Sequence, residues 1–435
     1  LNAEVVSNKH SQKQCQGNDY DIVIAGGGMV GASLALLLSH YSQQQLKMLV
    51  VESFPIVATQ KALDVSVTSP QYSPSFDARS TALSFGSRTI LESLGFWPML
   101  AQHLAEISDI HVSERGRFGS TTMNCNDVAW PALGYVVENT WLGNVLLTKL
   151  RQQSNVDFAA PASVLAIKPL QIGVAVTIEQ QGEQRTLQSQ LAVVADGANS
   201  ELRKKLGIDT QVRDYRQRAL ITNVSFSKAH NGIAYERFTE QGPLALLPLT
   251  DSEQGETRAA LVWSLPKERA QHLCDCDAAE FLQALQHSFG HRQGEFIRVG
   301  ERSNYDLSLV EAQEQVRSGI VVMGNAAHSL HPVAGQGFNL ALRDCVRLSQ
   351  LLAAAFAVQQ PLHEVSLLQR YQQQQQFDQQ KTIGFSNRLP DLFSHRQWPL
   401  SIFRNIGLSL LDVTPVAKNE FILHAAGLHP GASTG

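Results

Sequence analysis

The sequence predicts an α/β fold: a parallel-sheet βαβ domain built from separated segments, an antiparallel-sheet domain inserted between them, and a helical C-terminal region. Three observations predict it. The apolar run Asp21 to Ala25 passes through three glycines into an apolar helix, as a buried parallel strand does. Two more short apolar runs, Leu191 to Ala195 and Ile320 to Met323, end in small-residue turns far along the chain. Between and around them, apolar and polar residues alternate with the period of half-buried strands. A chain of 435 residues exceeds one small core, so two or three domains are expected.

The elements follow in order. Residues 1–18 are polar and carry no apolar core of a secretory signal; they read as a disordered arm. The first βαβ unit covers about 19–52, and a polar loop follows over 54–76. A helix is expected from Ser80 to Leu94, stopped by Gly95. Residues 107–137 contain short alternating strands, 141–152 a helix, and Val164–Ile167 with Val174–Ile178 a hairpin. Alternation returns in Ala219 to Phe226, Gly232 to Phe238, Leu244 to Leu249 and Arg258 to Trp263. A helix is expected over 277–289, and from about 340 the chain is mostly helical. The run Gln372 to Gln376 sits among Leu367, Leu368, Tyr371 and Phe377 at helical spacing, so it reads as a solvated helix face.

Composition narrows the function. Hydrophobic residues make up 43% and charged residues 17%, with a net charge of -4. No basic footprint for nucleic acid is present. The five cysteines are scattered, and Cys274-Asp-Cys276 lacks a second pair at zinc spacing, so free thiols and no metal are expected. No stretch approaches the roughly twenty apolar residues of a spanning helix, and a cytoplasmic location is expected.

Chemistry enters with Gly26-x-Gly28-x-x-Gly31. Gly26 allows the tight turn, Gly28 lets a pyrophosphate approach the backbone, and Gly31 lets helix and strand pack closely. The helix N-terminus offers free N–H groups to phosphate. About twenty residues on, the second strand ends at Glu52, an acceptor for a ribose 2′-OH and a repellent for a 2′-phosphate. This favours FAD or NAD over NADP. A second constellation is Val193 to Ser200, in which a buried strand ends at Asp196-Gly197, with Arg203 beyond it. The aspartate can accept from sugar hydroxyls or simply fix an Asp-Gly turn. A third runs Gly324-Asn325-Ala326-Ala327-His328, then His331-Pro332-Val333-Ala334-Gly335-Gln336-Gly337-Phe338-Asn339. Its glycine-rich turn opens a helix whose free N–H groups can stabilise negative charge.

These three motifs in this order resemble the single-component FAD-dependent aromatic hydroxylases of the p-hydroxybenzoate hydroxylase fold. The stretch Phe76-Asp77-Ala78-Arg79-Ser80-Thr81-Ala82-Leu83-Ser84, with Glu236-Arg237-Phe238, Gly242 to Pro248 and His331 to Asn339, is similar to the ubiquinone-biosynthesis branch. The resemblance covers about 19–420. It implies a Rossmann-type FAD-binding domain of 19–78, 139–206 and 301–350, a substrate domain of 79–138 and 207–300, and a helical region of 351–435. It implies noncovalent FAD, NAD(P)H as co-substrate, and O₂ activated as a flavin C4a-hydroperoxide. By motif match Gly26, Gly28 and Gly31 take the pyrophosphate and Glu52 the adenosine ribose. Arg79 approaches the pyrophosphate or ribityl region, with a surface salt bridge as its alternative. Asp196, Gly324 and Asn325 hold the FAD chain, and Pro332, Gly335, Gln336, Gly337, Phe338 and Asn339 border the isoalloxazine. His331 is a candidate for a catalytic acid–base group, with loop packing as its alternative.

Most of the family has Asp where this chain has Asn325, and the Asn resembles the members that hydroxylate a 2-polyprenyl-6-methoxyphenol para to its hydroxyl. The expected substrate is therefore a polyprenylated phenol. Three alternatives stay open: a sibling acting at another ring position, a hydroxylase of soluble aromatics, and a flavoprotein scaffold among ubiquinone-biosynthesis proteins. The segment Phe385 to Val413 has Leu389, Leu392, Phe393, Trp398, Ile402, Phe403 and Ile406 among Arg388, Arg396 and Arg404. It reads as a helix closing the core, and also as an amphipathic helix touching the inner face of a membrane.

Overall fold

Strands that are apolar on both faces need cover on both faces, and the first sheet is built that way. The computed structural model describes residues 19–54, 79–116, 120–330, 335–394, 419, 422 and 423. The chain runs β1 (Tyr20–Ala25), α1 (Met29–Tyr41), β2 (Met48–Val51), β3 (Ser80–Ser84), α2 (Phe85–Ser93), α3 (Trp97–Leu100), β4 (Leu104–Ile107), β5 (Asp109–Glu114), β6 (Ser120–Asn124), β7 (Gly134–Glu138), α4 (Asn139–Arg151), β8 (Val156–Ala159), β9 (Ser163–Pro169), β10 (Val174–Gln180) and β11 (Glu183–Val194). It continues as α5 (Glu201–Lys205), β12 (Thr210–Phe226), β13 (Ile233–Thr239), β14 (Gly242–Leu249), β15 (Arg258–Pro266), α6 (Lys267–Asp275), α7 (Ala278–Phe289), β16 (Phe296–Val299), β17 (Ser303–Ala312), β18 (Val316–Arg317), β19 (Ile320–Val322), β20 (His328–Ser329), α8 (Gln336–Ala357) and α9 (Val365–Ser394).

The first sheet has the order β18-β19-β11-β1-β2-β8, with β9 and β10 branching from β11. Strands β19, β11, β1, β2 and β8 are mutually parallel neighbours. Ile22 and Ile24 bury into one cluster with Leu34, Leu37 and Leu38 of α1, Trp141 of α4 and Leu348 of α8. Val23 and Ala25 bury on the opposite side with Val176 and Ile178 of β10. The second sheet has the order β20-β17-β12-β15-β14-β13-β5-β6, with β16 beside β12. One of its faces, with Leu220, Leu244, Leu261 and Trp263, is covered by Phe281 and Phe289 of α7. A third sheet, β3-β7-β4, lies between the two.

Several expectations change here. The stretch read as one helix from Ser80 begins as strand β3, registered Ser80↔Glu138 to Ser84↔Gly134. The helix starts only at Phe85, because the Ser84 hydroxyl accepts from Ser87 N and caps it. Ser303–Ala312, grouped above with the parallel-sheet segments, is a strand of the large sheet, paired with β12 from Ala312↔Thr210 to Ser303↔Ile221. Tyr305, Leu307 and Leu309 do alternate, but Asn304, Asp306 and Ser308 lower the apolar signal between them. The glutamine run is not wholly a solvated face: Gln375 is buried and donates to Arg343 O. The hairpin expected at 164–178 is present as β9–β10. Cys125, Cys274, Cys276 and Cys345 are free thiols, and Cys15 lies outside the described residues.

Candidate active site

The three motifs meet at the carboxyl ends of β1, β11 and β19, where ligands of open α/β sheets bind. Gly26 has φ +107°, and a Cβ there would sit 2.4 Å from Ala195 O. A Cβ on Gly31 would sit 1.8 Å from Gly26 O. Both are glycine because protein backbone occupies the space. Gly28 differs: it is exposed, and nothing of the protein lies within 4 Å of a Cβ built on it. Its open side is room for a ligand. Gly28 is also the N-cap of α1 and supplies no side chain to the first-turn N–H groups, which leaves them for an anion. Glu52 is used by the protein itself: Oε2 accepts from Gly27 N at 2.7 Å and Oε1 from Phe54 N at 3.0 Å. Oε1 also accepts from Ser53 Oγ at 3.3 Å, so Oε2 is the oxygen with a lone pair left for a sugar hydroxyl.

Asp196 is exposed, and its Oδ2 accepts a long 3.4 Å bond from Leu202 N. Arg203, only 4% exposed, donates to Ala326 O at 2.6 Å and to Ala198 O at 3.4 Å. It therefore ties the second motif to the third. Gly324 has φ +60° and faces Val30 of α1, 3.0 Å from a built Cβ, so the third motif touches the first. Asn325 beside it is exposed.

Gly335 caps α8 at φ +59° and packs on Ala82 of β3, 3.0 Å from a built Cβ. Asn339 holds that contact. Its side chain accepts from Ser84 N and Ser87 Oγ and donates to Ala82 O and Gly335 O. It is 1% exposed and so clamps the loop. Gln336 is buried, while Gly337 and Phe338 are partly accessible. Buried His328 pairs through Nε2 with Asp344 Oδ2 at 3.0 Å, and Gln379 donates to the same oxygen; these groups brace α8. His331 and Pro332 lie outside the described residues, as does most of the Phe385 to Val413 segment. Arg79 is exposed, with its guanidinium 5.5 Å from the Tyr305 ring, a cation–π contact.

One buried ion pair joins the small sheet to the large one. Arg258 of β15 donates to Glu138 of β7 at 3.1 Å, with both side chains at most 2% exposed. Neither this pair nor the Arg203 clamp was legible as a site feature in sequence. The only signal for Arg203 is its position just after Asp196-Gly197.

The residues present fit a flavin adenine dinucleotide: there is open approach at Gly28, an uncapped helix start, and acceptors at Glu52, Asp196 and Asn325 around it. A fold and site of this kind define a flavoprotein oxidoreductase with a wide sheet, antiparallel but for the parallel β13–β5 pair, beside the flavin loops. The chain belongs to the family described as FAD binding domain, whose model matches residues 19–383. It is an FAD-dependent hydroxylase of the flavin monooxygenase type. It is 30% identical to the ubiquinone hydroxylase UbiL of Rhodospirillum rubrum, over 94% of this chain and 89% of that one. It is 29% identical to the 3-demethoxyubiquinol 3-hydroxylase of Escherichia coli, over 94% and 98%. Among solved structures, p-nitrophenol 4-monooxygenase PnpA of Pseudomonas putida superposes with a TM-score of 0.74 at 18% identity, covering 94% of this chain and 98% of that one.

Proposed function

We propose that the chain hydroxylates a polyprenylated phenol in ubiquinone biosynthesis, with 2-polyprenyl-6-methoxyphenol attacked para to its hydroxyl to give the 1,4-benzoquinol. Bound FAD supplies the redox chemistry, taking hydride from NAD(P)H and activating O₂ for transfer to an electron-rich ring carbon. The rest falls to the protein. Gly26, Gly28 and Gly31 shape the pyrophosphate cradle, and Glu52 accepts from the adenosine ribose while holding Gly27. Asp196 and Asn325 face the sugar-alcohol chain, and Arg79 adds positive charge near the phosphates. The loop from Gly335 to Asn339, clamped on β3, borders the isoalloxazine. In the same reading the parallel sheet is the FAD-binding domain and the large sheet the substrate domain.

The observation that carries the reading is the pairing of relatives named for ubiquinone hydroxylation, over 94% of the chain, with an apolar face on the large sheet. That face, where Val112, Ala245, Val262 and Ile221 stay partly accessible, suits a prenyl tail. It also keeps water from the ring, which favours coupling of oxygen transfer to reduction. Among the described residues no helix is long and apolar enough to cross a membrane; we infer that the tail enters from a lipid surface touched by the Phe385 to Val413 segment.

The test is mass spectrometry of purified enzyme with 2-prenyl-6-methoxyphenol, FAD and each nicotinamide. The expected product carries one added oxygen para to the hydroxyl. Oxygen at another position would favour the sibling reading, and no oxygen transfer to any prenylphenol would overturn the proposal.

A further inference from the structure

The other face of the large sheet, packed in part by Ile107 of β4, Val136 of β7 and Ile422, keeps a strip of partly accessible positions. On β13, Tyr235 and Arg237 contact Phe289 of α7, so Glu236 points to the opposite face. Registered beside it across the sheet are Val112 on β5, Ala245 on β14, then Val262 on β15 and Ile221 on β12. Each of these five residues is partly accessible. Two residues before and after Glu236 on the same face, Ala234 and Phe238 are buried. So are Ala260 and Ser264 around Val262, and Ala219 and Asn223 around Ile221. A strip of partly accessible positions thus crosses five strands, flanked on both sides by buried residues on β12, β13 and β15.

Among the described residues the strip carries one ionisable group. Its other four residues are aliphatic, while Glu236 Oε1 is enclosed with no hydrogen-bond partner. An unpartnered carboxylate in an apolar slot is costly, and its retention calls for a ligand that supplies the missing donor. We propose that the Glu236 carboxylate faces the hydroxyl of the bound phenol and takes its proton, so that the ring reacts as the phenolate. The phenol O–H bond breaks, an O–H bond forms on Glu236, and the electron pair stays on the phenolate oxygen, enriching the para carbon. The proposal rests on the phenol-hydroxylase reading above.

The acid strength suits the task. Burial pushes the Glu236 carboxyl up to about 7, which makes it a far stronger proton acceptor than an exposed glutamate and still ionised at mildly alkaline pH. The residue as a whole is partly accessible but its carboxyl lies deep, and the deep position sets its acidity. Among the described residues, ionisable groups on this face and on the strands packed over it include Glu114 of β5, Tyr305 of β17 with Arg79 over its ring, the Glu138–Arg258 pair and Cys125. Desolvation alone accounts for the shift, with no contribution from these.

FAD-loaded wild type, Glu236→Gln and Glu236→Asp are compared with 2-prenyl-6-methoxyphenol. Flavin content, kcat/KM against pH, and the ultraviolet difference spectrum of the phenol bound without nicotinamide are recorded. In the wild type, kcat/KM rises through about pH 7 and the bound phenol shows a phenolate band. Glu236→Gln keeps its flavin, lacks the rise and the band, and falls by roughly 100-fold or more; Glu236→Asp recovers part of both. A glutamine variant that keeps the rise and the band overturns the proposal. Loss of flavin from both variants also overturns it, by assigning Glu236 to the cofactor or the fold. If the wild type oxygenates a tail-free phenol instead, the substrate reading falls, and the same comparison with that phenol decides on Glu236.

Discussion

Two glycines three residues apart do opposite things. Gly31 is crowded by Gly26 O, whereas Gly28 faces empty space in an extended conformation open to any residue. Gly28→Val is therefore expected to lose FAD while the flavin-free protein melts close to wild type. Gly31→Ala forces strand and helix apart and is expected to cost about 1–3 kcal/mol of stability. Flavin absorbance and thermal melts of the flavin-free proteins check both; full flavin occupancy in Gly28→Val would remove this loop from the phosphate site. Glu236 has a second, non-catalytic consequence. Burial raises its folded-state pKa from 4.5 to about 7, so between those values the native state holds more proton than the unfolded chain. Stability from this group is then fully present below about pH 4.5 and lost as pH rises through about 7. The melting temperature of Glu236→Gln relative to wild type should climb across that window and level off above it. A difference independent of pH would mean the carboxyl is not desolvated.

At the scale of elements, the site depends on the three-stranded sheet. One side of it receives the Gly335 loop through Ala82 and Asn339, and the end of β7 reaches Arg258 of the large sheet through Glu138. Arg258 is fully buried and also donates to Thr250 O. Removing only its carboxylate partner leaves a buried charge uncompensated. Glu138→Leu is expected to destabilise the protein by about 3–5 kcal/mol, and adding Arg258→Met should recover much of that loss. Denaturant melts of the single and double variants measure it; a double variant no better than the single would show that the pair does not carry this joint. Prediction of a helix at Ser80 failed at this joint, because β3 is a strand only by virtue of its pairing with β7.

For the whole molecule, the proposed substrate is long and greasy while the chemistry occurs at one ring. Each CH₂ of tail buried on binding contributes roughly 0.8 kcal/mol, so affinity should rise with tail length until the apolar face is filled. A loosely held ring admits water and wastes reductant. NAD(P)H consumed against product formed should therefore approach one-to-one as the tail lengthens. Equal affinity and equal coupling for tailless and prenylated phenols would favour a hydroxylase of soluble aromatics.

By itself the sequence determined what neighbouring residues can encode. The turn at Gly26, the helix behind it, the acidic strand end at Glu52 and the alternation of β13 to β15 depend on local sterics and period, and the flavin-binding character follows from them. Tertiary structure alone decided which distant segments meet. Arg203 finds Ala326, Asn339 finds Ser84 and Glu138 finds Arg258 across more than a hundred residues of chain each, and no local pattern specifies those partners. Glu236 shows the limit most clearly. A lone acid between Ala234 and Phe238 in an alternating strand was visible in the sequence. Its acidity is set by desolvation, which arises only once the folded sheet places β5 and β14 on either side of it.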